Sequence, residues 1–169
     1  MILPASKQED WFEKTRSYMV NNDKEIKGFF GDYMFLSNFY VSKFYLSFPY
    51  GEIKFESSEA AYQGMKSGKV EDLQRFSKYS PRLAQKEGQN VELQENWDTS
   101  KAHTMFLVCL EKFHQNEELK EKLLCTEEKY LEETNHWNDT YWGVDYRSGK
   151  GKNTLGQILM MIRSFIQDY

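Results

Sequence analysis

Residues 44–66 read FYLSFPYGEIKFESSEAAYQGMK, and this segment passes from the pattern of a β-hairpin to that of an α-helix. Residues 44–48 and 51–55 alternate between apolar and polar side chains, the period of a strand with one buried face. Between them, Pro49-Tyr50-Gly51 supplies residues that favour a turn. The segment therefore predicts two antiparallel strands joined at Tyr50.

The helix that follows the hairpin has a clear start and end in the sequence. Ser57 or Ser58 is a suitable N-cap, and the helix is predicted to run from Glu59 to about Ser67. Gly68 follows, and glycine commonly ends a helix.

The rest of the chain is mainly helical by its periodicity. A capping box, Ser6 with Glu9, predicts a helix from Ser6 to about Val20. Apolar residues at helical spacing predict further helices at 70–78, at 81–87, from Asp98 or Ser100 to Gln115, and from Leu155 to Ile166. We expect an α+β fold, mainly helical, with one small β-hairpin or sheet in a single domain. Residues 1–25 are interpreted as an N-terminal helical extension, and residues 26–169 as the domain proper.

One long segment lacks any periodicity. Tyr130–Asn153 is polar and contains glycine and two tryptophans. Loops of this length are often functional. An unstructured surface insertion is the alternative, although Trp137, Tyr141 and Trp142 favour packing.

Composition excludes several classes of protein. The net charge is −4, the pI is near 5.5, and no basic cluster is visible, which excludes a general nucleic-acid scaffold but not a small nucleotide or one modified base. Aromatic residues make up 16% of the chain. They indicate either a stiff core or a pocket for a flat ligand, and composition does not choose between the two.

Cysteine and histidine usage predicts neither a disulfide nor a metal site. Cys109 and Cys125 stand apart, and His103, His114 and His136 match no zinc spacing. The first residues do not resemble a secretory signal, and no run approaches the roughly 20 apolar residues of a membrane span. We expect a cytoplasmic protein with no membrane association, no metal and no cofactor.

The predicted helix after the hairpin carries a polar face. Residues at i, i+3, i+4 and i+7 lie on one side of a helix, and these positions hold Glu59, Tyr62, Gln63 and Lys66. A carboxylate, a phenol, an amide and an amine thus share one side. A solvated helix face is the alternative, and the pattern alone specifies no reaction.

Six ordered segments resemble the motifs of one family. They are Gly31–Phe39 (GDYMFLSNF), Ser58–Lys66 (SEAAYQGMK), Asn96-Trp97 with Lys101 and Met105, Lys112-Phe113 with Gln115-Asn116, Asn138–Gly143 (NDTYWG), and Gly149–Gly156 (GKGKNTLG) with Arg163. The chain resembles the YbiA-like or NADAR family of N-glycosidases from about Gly28 to Arg163. It departs from the family at Ala60, where histidine is usual, which puts transfer of substrate specificity in doubt.

The resemblance implies an α+β enzyme that cleaves the bond between ribose C1 and a base nitrogen. One family branch acts on ribosylamino-pyrimidine intermediates of riboflavin synthesis, and another removes ADP-ribose from guanine. The implied partner is a small nucleotide-like substrate, with a modified guanine in nucleic acid as another form. A binding module for ADP-ribose or NAD without turnover is the alternative function.

The resemblance also implies roles for particular residues. Glu59 and Asp139 are the candidate acid/base and oxocarbenium-stabilising carboxylates, in an order that the sequence leaves open. Lys66 is a candidate nucleophile, or an electrostatic or surface lysine. The remaining matched positions are expected to bind substrate: Asn38, Tyr62, Gln63, Trp97, Trp142, Gly143, Gly151, Asn153 and Arg163. Core packing is the alternative for each tryptophan, and a surface turn is the alternative for the glycines.

Overall fold

The computed structural model describes residues 19–168, which form two compact units. The first unit holds the described residues up to Ser37 together with Glu128–Met160. The second unit holds Asn38–Glu127 and the residues from Met161 onward. Helices and short sheets make up the chain, so the predicted α+β class is confirmed.

The predicted hairpin opens the second unit. Strand β3 (Phe44–Phe48) pairs antiparallel with β4 (Gly51–Phe55), with Phe44 opposite Phe55 and Leu46 opposite Ile53. Phe44 and Phe55 are fully buried, as the strand alternation requires. The hairpin prediction is therefore confirmed.

Helix α1 (Ser58–Gly64) follows directly and has the predicted cap. The Ser57 hydroxyl accepts a hydrogen bond from the Ala60 amide at 3.1 Å. A 3-10 turn (Met65–Ser67) continues the helix, and Gly68 ends it with a φ of 70°. The bounds agree with those expected, except that the last turn is tighter than an α-helix.

Three helices of the second unit pack around α1: α2 (Val70–Phe76), α3 (Pro81–Glu87) and α4 (Trp97–His114). Helix α5 (Glu117–Leu124) packs against α4. The core that α1–α4 share with the hairpin consists of Phe44, Leu46, Phe55, Ala60, Ala61, Leu73, Phe76, Ala84 and Val108. Helix α5 has no counterpart among the predicted elements because its eight residues, EELKEKLL, are mostly charged. Helix α6 (Thr154–Gln167) passes from the first unit into the second.

The first unit contains two small sheets that periodicity does not reveal. Strands β1 (Val20–Asn21), β2 (Glu25–Lys27) and β5 (Tyr130–Glu132) form one, in which β1 is antiparallel and β5 parallel to β2. Strands β6 (Thr134–Asn135), β7 (Val144–Asp145) and β8 (Lys150–Gly151) form the other. The region 130–153 is therefore not an unstructured insertion.

The predicted N-terminal helix lies outside the described residues, apart from its end. Val20 is the exception, because it begins a strand instead of ending a helix. The expected domain boundary between residues 25 and 26 lies inside β2.

Lys112 is a basic residue whose side chain lies on the buried side of helix α4. It is 1% exposed, and its Nζ lies 5.0 Å from the centre of the Phe113 ring and 5.7 Å from that of Tyr40. Burial lowers the pKa of this amine to about 8, while the Cys109 thiol acts in the opposite direction. Below pH 8 the folded state therefore carries a buried charge.

The stability of the wild type, compared with that of Lys112→Met, is expected to rise by about 3 kcal/mol as pH rises from 7 to above 10.5. The pKa is 10.5 in the unfolded chain and about 8 in the folded one, so the folded state loses the proton first and the cost of the buried charge disappears. Denaturant unfolding at pH 7 and 9.5 measures most of this change, with exposed Lys86→Met as the control. A difference in stability between the two proteins that stays constant over this range would contradict the prediction.

Candidate active site

Glu59 is the centre of the candidate site. It lies in the first turn of α1 and is only 7% exposed. Burial raises its pKa to about 6, while the hydrogen bond from Gln63 and the charge of Lys66 act in the opposite direction. A solvated helix face is excluded for this residue, and its carboxyl titrates near physiological pH.

Gln63, one turn later, holds the Glu59 carboxylate. Its Nε2 donates to Glu59 Oε1 at 2.8 Å. Gln63 is itself 7% exposed, and its Oε1 is buried without a hydrogen-bond partner among the described residues. The nitrogen of the Gln63 amide therefore donates to the Glu59 carboxylate, while its oxygen is enclosed by protein.

Lys66 belongs to the 3-10 turn after α1 and is half-buried. Its Nζ donates to the Gly88 carbonyl oxygen at 3.0 Å and lies 5.9 Å from the centre of the Tyr62 ring. Burial lowers the pKa of the amine, and Glu59 opposes the shift. The four residues of the predicted polar face are thus brought together, with three of them buried.

Asn38 supports α1 from outside the helix. Its backbone carbonyl accepts the Glu59 amide at 3.0 Å. Its side-chain Nδ2 donates to Met105 Sδ at 3.3 Å, and its Oδ1 accepts from Cys109 Sγ at 3.6 Å. Both ends of the Asn38 amide contact helix α4, and its backbone fixes the first turn of the helix that carries Glu59.

Trp97 is the first residue of α4 and is 4% exposed. Its ring lies 5.1 Å from that of Tyr62 at an interplanar angle of 48°. The two rings pack against each other, and protein encloses most of both side chains.

The first unit holds a second group of the predicted residues. Asp139 is half-buried, and its Oδ1 accepts the amides of Tyr141 at 3.0 Å and Trp142 at 2.9 Å. Asn138, just before it, has a φ of 64°. The Asp139 carboxylate thereby shapes the NDTYWG turn and orients the half-buried Trp142, whose ring meets Tyr141 edge-on at 4.9 Å.

Gly143 and Gly151 allow two strands of the first unit to approach closely. A Cβ on Gly143 would lie 2.1 Å from the Glu133 carbonyl oxygen, and one on Gly151 would lie 2.1 Å from the Gly143 carbonyl oxygen. The glycines are therefore needed for packing between neighbouring backbones.

Asn153 and the start of α6 are occupied by contacts within the first unit. The Asn153 side chain accepts from the Glu133 amide at 3.0 Å and donates to the Leu131 carbonyl at 2.8 Å. The amides of Thr154 and Leu155 donate to the carbonyls of the NDTYWG turn. In this structure those amides are not available to a phosphate.

Arg163 is buried instead of facing solvent. It is 8% exposed, and its Nη1 donates to Thr126 Oγ1 at 2.7 Å. The contact joins α6 to the turn after α5, all within the second unit.

The described residues contain neither a metal-binding cluster nor a membrane-spanning helix. Among residues 19–168, His, Cys, Asp and Glu side chains form no group of three or more that would hold a metal ion. No helix in the same range is long and apolar enough to cross a membrane.

A family model described as the NADAR domain matches residues 7–167. The chain belongs to the NADAR domain family. The motifs in the Glu59 helix and the NDTYWG turn are thus parts of a NADAR domain, and the recognition made from the sequence is confirmed.

Relatives and a solved structure agree with this assignment. N-glycosidase YbiA of Shigella boydii serotype 4 (strain Sb227) is 41% identical over 95 residues, which are 55% of this chain and 57% of that protein. A riboflavin biosynthesis protein of Vibrio vulnificus (strain YJ016) is 34% identical over 139 residues, which are 80% of this chain and 36% of that protein. The NMR structure of Escherichia coli YbiA matches with a TM-score of 0.75 at 29% identity, covering 91% of each chain. The chain thus spans little more than half the length of the YbiA relative matched by sequence.

Trp97 and Trp142 differ in burial, and substitution should separate their roles. Trp97→Leu is expected to lower the free energy of unfolding by about 2 kcal/mol, because it leaves a space beside Tyr62. Trp142→Leu should cost about half as much, because its ring is only half-buried. It should raise the KM for a nucleotide substrate more, because stacking on a base needs an accessible part of the ring. Thermal unfolding and KM measured on both variants test this. Equal stability costs with an unchanged KM in Trp142→Leu would contradict it.

Proposed function

We propose that this protein is an N-glycosidase that hydrolyses the bond between ribose C1 and a base nitrogen. The observation that carries the proposal is the Glu59 carboxyl, buried, hydrogen-bonded by Gln63, with a pKa raised to about 6. A carboxyl with a perturbed pKa next to a half-buried amine is typical of an active site rather than of a binding surface. Two relatives support the same reaction class, since one is named an N-glycosidase and the other a riboflavin biosynthesis protein.

Glu59 suits the charge that the reaction develops. As the glycosidic bond breaks, positive charge accumulates on ribose C1 and the ring oxygen. With a pKa of about 6, roughly nine-tenths of Glu59 is ionised at pH 7. A carboxylate excluded from water stabilises such a cation more strongly than an exposed one does. We assign Glu59 the role of the oxocarbenium-stabilising anion.

Lys66 is proposed as the nucleophile. Its neutral amine attacks C1, so a C1–Nζ bond forms while the bond from C1 to the base nitrogen breaks and the base takes a proton. Opening of the ribose ring then gives a Schiff base, which water hydrolyses to free sugar and lysine. Burial, which lowers the Lys66 pKa, increases the fraction of neutral amine.

Two further roles rest on the sequence motif alone. In the family resemblance Asp139 is the second carboxylate, which would protonate the departing base, and Trp142 would stack on that base. Within the first unit, Asp139 Oδ1 accepts two backbone amides, which hold the carboxyl in one orientation.

Base release from two substrate types tests the proposed function. The protein is incubated with ADP-ribosylated guanosine and with ribosylamino-pyrimidine phosphate, and the free base is measured by chromatography. Release from either substrate, with loss of activity in Glu59→Gln, is the expected result and identifies the substrate branch. Tight binding of ADP-ribose or NAD without base release from either substrate would overturn the proposal in favour of a binding module.

A further inference from the structure

Gly88, which follows helix α3, lies against Lys66, the proposed nucleophile, and against Gln63, which donates to the Glu59 carboxylate. Its carbonyl oxygen accepts the Lys66 amine at 3.0 Å. Its Cα faces the Gln63 amide, whose other end holds Glu59. No motif identified in the sequence includes this residue.

Backbone conformation does not explain a glycine at position 88. Its φ is −65° and its ψ is −12°, values that any residue adopts at the end of a helix. Left-handed geometry, the usual reason for a glycine after a helix, is absent here. The reason for the glycine must lie in the space around it.

That space is filled by the end of the Gln63 side chain. A Cβ on residue 88 would lie 1.9 Å from Gln63 Oε1 and 2.5 Å from Gln63 Cδ. The next atom, the Ala84 carbonyl oxygen at 2.9 Å, belongs to the preceding turn of α3. Gln63 is buried, so its amide has little room to retreat without leaving the Glu59 carboxylate.

We propose that Gly88 is a positioning residue: the missing side chain admits the Gln63 amide that orients Glu59, while the Gly88 carbonyl orients Lys66. The inference rests on the proposed function for its catalytic meaning, but its geometry can be tested without turnover. The end of α3 would then set the positions of the carboxylate and the amine together.

The pKa of the Glu59 carboxyl is the most direct measure of this arrangement. Its pKa reflects burial, the Gln63 hydrogen bond and the charge of Lys66. Losing the Gln63 bond removes a contact that favours the ionised form, so the pKa of Glu59 rises. A disturbance elsewhere in the core would lower stability without changing this value.

The experiment follows the Glu59 carboxyl by carbon NMR through a pH titration, with the signal assigned by its loss in Glu59→Gln. Gly88→Ala is expected to raise the pKa of Glu59 by about 0.5–1 unit, and Gln63→Ala should do the same. The double variant Gly88→Ala/Gln63→Ala should match Gln63→Ala alone, because the added Cβ changes the Glu59 pKa only by displacing the Gln63 amide. In active protein, the acid limb of the pH–rate profile should move by the same amount.

Two controls separate positioning from packing. Gln89→Ala changes an exposed neighbour on the same helix end and should leave the pKa of Glu59 unchanged. Gly64→Ala places a Cβ 2.9 Å from Phe76 Cβ, so it should lower the melting temperature while the pKa stays the same.

A Gly88→Ala protein that folds with the wild-type Glu59 pKa would overturn the proposal. The proposal would also be overturned if the effects of Gly88→Ala and Gln63→Ala on the pKa of Glu59 added in the double variant. If Gly88→Ala alone does not fold, a double variant that folds like Gln63→Ala supports the proposal, and one that also fails to fold overturns it. Absence of base release by the wild type would overturn the proposed function and leave this test intact.

Discussion

Glu59→Gln is expected to lower the rate of base release by about 100-fold or more, the size typical of a lost charged catalytic group. The substitution keeps the shape of the side chain, and Gln63 Nε2 can still donate to the new amide oxygen. What disappears is the negative charge beside the developing oxocarbenium ion. Single-turnover base release, compared with the exposed control Glu95→Gln, measures the loss.

The same substitution should stabilise the fold above pH 6. Raising the pKa of a carboxyl from 4.5 to about 6 costs about 2 kcal/mol of folding free energy once the group is ionised. That cost is absent below pH 4.5 and appears as pH rises through 6, so the stability gain of the variant should appear over the same range. The rate of the wild type is expected to fall below about pH 6, as Glu59 takes up a proton, and the variant should lack this fall. Near wild-type turnover, or a variant less stable at pH 8, would rule out this role for Glu59.

Lys66→Arg is expected to abolish covalent trapping and to reduce turnover by at least about 100-fold. The guanidinium keeps the positive charge, but it does not lose a proton in proteins and cannot act as a nucleophile. Borohydride added during wild-type turnover should reduce the Schiff base to a stable secondary amine on Lys66. Mass spectrometry of the digested protein then identifies a sugar adduct on that residue.

Lys69→Arg is the matched control for trapping. Lys69 lies three residues further on, is exposed, and forms an ion pair with Glu92 at 2.7 Å. This variant should be trapped as readily as the wild type. An active Lys66→Arg protein together with no adduct on wild-type Lys66 would show that the lysine acts only through its charge. The mechanism would then be direct attack by water, assisted by the carboxylates.

Elements long enough to show a period were predictable, and shorter ones were not. The hairpin at 44–55 and α4 each repeat their pattern several times, so local sequence specifies them. Strands of two or three residues, such as β6 and β7, contain too few positions to show alternation. They exist because distant segments pair with them, as Thr134 does with Val144.

Motifs identified the candidate residues of the site, but not what these residues contact. Gly151, Asn153 and Arg163 were expected to bind substrate. In the structure Arg163 donates to Thr126, and carbonyls of the NDTYWG turn accept the first amides of α6. A single sequence does not show these pairings, because each joins segments whose proximity is set by the fold.

Local sequence was enough to specify the hairpin, the Ser57 cap, and a helix that places Glu59, Gln63 and Lys66 on one side. These features follow from dihedral preferences and from the 3.6-residue period, which act between near neighbours in the chain. Tertiary packing, in contrast, buries this side, raises the pKa of Glu59 to about 6, and brings Gly88 against Gln63 and Lys66. A pKa depends on how much water surrounds the group, and segments distant in the chain exclude that water. Gly88 lies 22 positions after Lys66, whose amine donates to its carbonyl.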